Sequence, residues 1–257
     1  MAPGQAPSYP CRRMKGTLSG AALLVLLLLA GSPGRPSASG ALQEALASTA
    51  AGGRHSYATR FAVAENPVSE GGNWVCGKSV GLDWADVATG RGLAYGLESG
   101  SGGFDDATAL LTGAWSPNQS AQATVRTVRQ NGAVWQEVEL RLRSSLSANR
   151  ATGYEINFRC LKTKDAYTEI VRWNGPLGDF TYLSHRDGGP FGVADGDVIK
   201  ASVIGDRITV FKNGVKVAEA VDATFSGGSP GMGFFIKGAA GDGRDYGFTR
   251  FSASDEP

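Results

Sequence analysis

An all-β fold, an antiparallel two-sheet β-sandwich, is what this 257-residue sequence predicts. Three observations carry the prediction. Apolar and polar residues alternate in period two along most segments after residue 56, the pattern of strands with one buried face. Glycine, at 37 of 257 residues, is about twice the usual frequency of ~7% and punctuates those segments with turns. No long stretch carries a 3.6-residue apolar period and no internal repeat is visible, which argues against helical bundles, propellers and solenoids.

The N-terminus reads as a leader. Arg12, Arg13 and Lys15 precede "AALLVLLLLAG", followed by Pro33, Pro36 and the small-residue stretch "SASGA", the layout of a secretory signal peptide. Residues 1–39 are assigned to it, with Met14 a more natural start than Met1. The apolar run is too short to cross a bilayer, which takes about 20 residues, so no membrane anchor is expected and the protein is expected to be secreted or periplasmic. Residues 40–56 read as a linker. Residues 57–257 then form one domain, long enough for a single core. Lysine plus arginine number 25 against 24 acidic residues, so no nucleic-acid partner is indicated.

Within the domain, "YATRFAV" opens and "NWVCG" follows a Gly-Gly turn. "AQATVRTV", "VELRLRS", "GYEINFRC" and "YTEIVRW" alternate, and "DGDVIKASVIG" adds a further strand. In "GDRITVFKNGVKVAEA" two alternating runs flank Asn213-Gly214, the pair best suited to a two-residue hairpin turn with positive φ at both positions. "GSPGMGFFIKG" and "DYGFTRFSAS" close the sheet pattern.

The order of "NPVSEGGNW", "GYEINFR" and the closing "GDVIKASVIG…NGVKVAEA…GSPGMGFF" resembles the laminin G-like jelly rolls of the concanavalin A-like lectin and glucanase superfamily. In layout it is similar to bacterial 3-keto-disaccharide hydrolase domains. The resemblance implies a jelly roll with one concave sheet face where ligands bind. That fold hosts lectins, hydrolases, lyases and adhesion domains, so function has to come from the site.

The parity rule places Ile156, Phe158 and Cys160 inside and Glu155, Asn157 and Arg159 outside. On the neighbouring segment it places Val138, Leu140 and Leu142 inside and Glu139, Arg141 and Arg143 outside. Outward acids and guanidinium groups suit recognition of hydroxyls or carboxylates, or they stabilise the sheet as cross-strand pairs. Candidate ligand contacts are Arg141, Asn157, Arg159, Arg172, Trp173 and Tyr182, the two aromatics offering a flat apolar face with a polar edge. Trp84 and Trp115 lie in glycine-rich loops, whereas Trp74 and Trp135 fit core positions.

Glycan recognition on the concave face without catalysis is the leading expectation, with a poly- or oligosaccharide as partner. The alternatives are a polysaccharide hydrolase or lyase, and a structural or adhesion domain. The laminarinase pattern Glu-x-Asp-x-x-Glu is matched by "EVELRL" only at Glu137 and Glu139, because Leu142 replaces its last carboxylate. An unconventional carboxyl pair from Glu139, Glu155 and Glu169 is the hydrolase candidate. Arg141, Arg159 or Arg172 with Tyr182 or His185 is the lyase candidate, although His185 in "LSHRDGG" reads as a solvated loop residue. Cys76 and Cys160 either pair, which would add roughly 4 kcal/mol by closing a long loop, or remain two buried thiols. No cofactor is expected. A structural calcium ion could draw on Asp105, Asp106, Asp242 or Asp245, residues that ordinary turns also use.

Overall fold

The computed structural model describes residues 55–101, 103–104, 106–130, 132–238 and 243–255. The expected signal peptide and nearly all of the expected linker lie outside them. Among the described residues fifteen strands run in order as β1 (Ser56–Thr59), β2 (Trp74–Cys76), β3 (Val87–Gly90), β4 (Leu93–Gly96), β5 (Ala107–Leu111), β6 (Gln119–Thr127), β7 (Trp135–Ser147) and β8 (Arg150–Arg159). They continue as β9 (Tyr167–Gly175), β10 (Phe180–Asp187), β11 (Val198–Ile204), β12 (Arg207–Lys212), β13 (Val215–Val221), β14 (Ser229–Lys237) and β15 (Tyr246–Ser254). Among the described residues the only helical segments are short 3₁₀ turns, and no helix is long and apolar enough to cross a membrane.

Two antiparallel sheets form the expected sandwich. One has the order β13-β12-β11-β6-β15-β4-β3, with β1 also paired to β15, and the other is β10-β9-β8-β7-β14-β5-β2. The hairpin at Asn213-Gly214 joins β12 to β13 with φ of 51° and 79° at its two turn residues, as a primed turn requires.

Period-two alternation builds the core. Val138, Leu140, Leu142, Tyr154, Ile156, Phe158, Cys160, Ile170 and Phe234 from the seven-stranded sheet face Ala121, Ala123, Val125, Ile199, Ala201, Ile208, Phe248 and Phe251 from the other. Burial of each large apolar side chain contributes about 1.5–3 kcal/mol.

The two cysteines do not pair. Cys76 ends β2 at one sheet edge, whereas Cys160 follows β8, with β7, β14 and β5 between. Four steps of about 4.8 Å each exceed the Cα reach of a disulfide, ~7 Å. Both are buried thiols, and burial pushes Cys76 up to about 11. Trp74 is buried as expected, its Nε1 donating to Glu70 Oε2 at 2.9 Å, but Trp135 is 40% exposed.

Of the four aspartates weighed for calcium, Asp105 and Asp242 lie outside the described residues. Asp245 sits 3.6 Å from Arg129 Nε, and Asp106 is tied to Arg141 at 3.1 Å.

Candidate functional site

The outer face of the seven-stranded sheet is not wet surface. Because Val138, Leu140, Ile156, Phe158 and Ile170 take the core side, Glu137, Glu139, Arg141, Glu155, Asn157 and Glu169 project to the other, and every one of them is buried. Register stacks them in rows: Arg141 opposes Glu155, which opposes Val171, which opposes Tyr182, while Glu139 opposes Asn157, Asn157 opposes Glu169 and Glu169 opposes His185. Above these rows lies a groove of about 440 Å³ lined by Phe104, Asp106, Trp135, Glu137, Glu155, Asn157, Tyr167, Glu169, Val171, Trp173, Phe180, Tyr182, Phe235 and Lys237.

Arg141 organises one end of the groove. Its guanidinium reaches Glu139 Oε2 at 2.5 Å, Glu155 Oε2 at 2.6 Å and Asp106 Oδ2 at 3.1 Å, and lies 5.4 Å from the ring centre of the fully buried Trp84. One cation facing three buried carboxyl groups cannot balance them all. Burial, aided by the charges of neighbouring carboxylates, holds Asp106 and Glu139 well above the usual carboxylate range, so protons are retained there. The same three carboxyls lie within 4.8 Å of one another and could ligate a metal ion, but the guanidinium already occupies their focus. Space for this cluster comes from β14: a Cβ on Gly233 would stand 2.2 Å from Glu139 Oε2.

Asn157 links the cluster to the next carboxyl. Its Nδ2 donates to Glu155 Oε1 at 3.1 Å and to Glu169 Oε2 at 3.2 Å. Its Oδ1 and Glu139 Oε1, on directly opposed residues, are both buried with no acceptor-to-donor partner in place. A proton held by Glu139 would satisfy both atoms.

Glu169 also meets His185, whose Nδ1 lies 2.5 Å from Glu169 Oε1 and whose Nε2 lies 2.7 Å from Asp187 Oδ1. Partial burial works against the imidazolium, but the bonds to Asp187 and Glu169 outweigh it and raise the histidine. Burial lifts Glu169, partly opposed by its bonds from His185 and Asn157. Glu137 receives the hydroxyl of Tyr167, and burial, helped by the charges of Glu169 and Glu155, pushes it up to about 8.

The candidate residues fall into distinct roles. Trp173 is in the groove wall but only 3% exposed. Its Nε1 donates to Glu155 Oε2 at 2.5 Å, and its ring packs 4.4 Å from Trp84 and 5.1 Å from Phe180. It therefore positions Glu155 and offers no free face. Tyr182, at 55% exposure, stands at the groove rim. Arg159 is spent on structure: its Nη1 and Nη2 bond the carbonyls of Asp165 and Gly132 at 2.8 and 2.9 Å, and it lies 4.4 Å over the Trp135 ring.

Arg172 is not in the groove. It has the parity of Thr168 and Ile170, opposite to Glu169 and Trp173, and pairs with Asp222 at 2.6 Å. Arg143 departs from the parity rule for another reason. The strand shifts register between Leu142 and Ser145, Arg143 takes φ of 46°, and its guanidinium bonds the carbonyls of Pro117, Phe225 and Gly205 at 2.7–2.8 Å.

The sequence reading misplaces two residues, one in the groove wall and one beside it. Trp135 was assigned to the core, although it shares the parity of Glu137, Glu139 and Arg141. His185 read as a loop residue, yet it lies in β10, where a register shift between Tyr182 and Ser184 brings it opposite Glu169. Trp115 lies apart from the groove, stacked on His55 with ring centres 4.0 Å apart.

No family model matches the chain, and no curated protein matches it in sequence. Solved structures do. An endo-β-galactosidase from Clostridium perfringens, described as releasing GlcNAcα1-4Gal, aligns at TM-score 0.50 and 8% identity over 77% of this chain and 62% of its own. A structure described by the words "Prominent members of the human gut microbiota express endo-acting O-glycanases to initiate mucin breakdown" aligns at TM-score 0.50 and 7% identity, over 78% of this chain and 99% of its own. The carbohydrate-binding module CBM66 from Bacillus subtilis is 20% identical over 72% of this chain and 92% of its own, at TM-score 0.45. The likeness shows the fold, an antiparallel two-sheet jelly roll.

Proposed function

We propose that the groove of the seven-stranded sheet binds a glycan chain outside the cytoplasm, and that the domain is a recognition module. The observation that carries this reading is the combination of an exposed aromatic rim, Trp135, Tyr182 and Phe104, with a floor of buried carboxyl and amide groups fixed on rigid strands. Aromatic faces match the apolar faces of sugar rings, and fixed acceptors match their hydroxyls. Retention of the purified protein on a panel of neutral and uronic-acid polysaccharides tests it. Trp135→Ala and Tyr182→Ala should weaken retention without altering the fold, and a panel with no retained member would sink the reading.

One observation favours a second reading, glycoside hydrolysis. Glu137 carries a proton at neutral pH, having been pushed up to about 8, which is the condition for a general acid. Glu155 and Glu169 line the same groove and would serve as the second carboxyl group. The glycan-cleaving enzymes among the structural neighbours are compatible with it through their shared fold. Release of reducing ends from a retained polymer, abolished by Glu137→Gln, would select this reading. Retention without release leaves recognition alone.

A further inference from the structure

The outer face of the eight-stranded sheet carries the opposite charge. Arg126 of β6, Lys200 of β11 and Arg250 of β15 point away from the core, because their neighbours Val125, Ala201 and Phe251 are buried in it. Pairing sets their spacing. Lys200 opposes Gln122, which opposes Ser252; two residues further along, Thr124 opposes Arg250; two further again, Arg126 opposes Gly247. The three cations thus advance along the sheet in steps of roughly 6.6 Å, at ~3.3 Å per residue.

Arg60 and Arg91 extend the same face. Arg60 and Arg250 line a depression of about 550 Å³, Arg91 and Arg126 one of about 670 Å³, and Lys200 a third of about 380 Å³. Among the described residues, none of these five cations has an ion-pair partner. Glu65 is the one acidic side chain among the described residues lining the three depressions, and its Oε2 is taken by the backbone N–H groups of Ser69 and Glu70 at 2.8 and 2.7 Å.

We propose that this face is a second binding site, which takes an anionic polysaccharide whose carboxylate or sulfate groups pair with Lys200, Arg250 and Arg126. Charge complementarity supplies the attraction, since unneutralised like charges on one surface raise the local concentration of a polyanion. Chemistry between the cations selects the class. Gln122, Thr124 and Ser252 stand there, and their hydroxyl and amide groups match sugar hydroxyls. Single-stranded nucleic acid is bound on runs of aromatic side chains that stack successive bases, and a duplex is read by an element that enters its groove; this strip is a pleated surface on which one half-buried ring, Phe211 opposite Lys200, stands beside the cations. The site is independent of the groove on the opposite sheet.

The test is retention of the purified full chain on immobilised polygalacturonate at low salt. Retention is expected, with loss as salt screens the contacts, at least a tenfold weakening in Arg126→Glu/Arg250→Glu, and no change in Tyr182→Ala. An unchanged thermal midpoint shows that the double variant folds, and Arg126→Gln/Arg250→Gln replaces it if it does not. Absence of retention, retention that survives both double variants, or retention lost in Tyr182→Ala would each overturn the proposal. Equal binding of duplex DNA or phosphatidylglycerol vesicles would overturn the assignment to polysaccharide. Whether any neutral glycan occupies the groove has no bearing on these readouts.

Discussion

The two outer faces of the sandwich follow the same alternation and end in opposite physical states. On the seven-stranded sheet the outward residues are carboxyl groups, and they are buried: Glu139 has no exposed surface, although it faces away from the core. On the eight-stranded sheet the outward cations Arg126, Lys200 and Arg250 have no ion-pair partner among the described residues. The difference arises from what lies over each sheet. Trp84, Trp173 and Phe180 pack with one another beside Arg141 and Glu155, and the β5, β9 and β10 ends raise walls around the rows. Among the described residues nothing comparable covers β6, β11 and β15. Polarity on a strand therefore shows direction, while neighbouring loops decide whether water reaches it.

The sharpest way to break this comparison is to remove the cation from the buried face. Arg141→Ala should destabilise the fold by about 3–5 kcal/mol, because it leaves the buried oxygens of Asp106, Glu139 and Glu155 without the guanidinium they bond, whereas Arg126→Ala on the other face should stay within about 0.5 kcal/mol. Urea unfolding measures both, and equal effects would show that the two faces do not differ as described. Gly233→Ala comes next. Its Cβ would collide with Glu139 Oε2, and such overpacking costs about 1–3 kcal/mol; a neutral result would mean the cluster has room to shift.

A binding effect of intermediate size is expected at the rim. Tyr182→Ala or Trp135→Ala should weaken glycan retention about tenfold, equivalent to ~1.4 kcal/mol, with the unfolding midpoint little changed. Loss of the fold in either variant would place that ring in the core.

The last effect is on pH dependence. Glu137 is raised from 4.5 to about 8 in the folded protein. Between those values the unfolded chain has released the proton that the folded chain keeps, so stability contributed by this group falls as pH rises through that window and is fully present below it. Asp106, Glu139 and Glu169 shift in the same direction. Thermal midpoints should therefore decline from pH 5 to pH 8, and Glu137→Gln should flatten the slope. A rising midpoint over that range would contradict the protonated acid.

Much of the fold was legible because strands announce themselves locally. Alternation in "GYEINFRC" and "VELRLRS" correctly sorted Ile156, Phe158, Val138 and Leu140 inward and Glu155, Asn157 and Glu139 outward, and Asn213-Gly214 marked its hairpin. The site was legible only in part. Applying the same parity to Trp135 would have put it beside Glu137 at the groove, while Arg172 shares parity with core residues and was never able to reach it. Two register shifts lay beyond such counting. The one at Leu142–Ser145 turns Arg143 toward the end of the sandwich, and the one at Tyr182–Ser184 brings His185 to Glu169.

Local pattern alone determined that this chain forms a β-sandwich, where its clearest hairpin turns and which side of each regular strand faces the core, because those properties follow from period-two geometry and turn chemistry within a few residues. Tertiary structure decided the rest: that Cys76 and Cys160 are four strand positions apart, that Trp173 holds Glu155 instead of presenting a face to ligand, and that Glu137 keeps its proton near neutrality. Each of these depends on strand order, bulges and the depth of burial, which arise only when distant segments pack against one another.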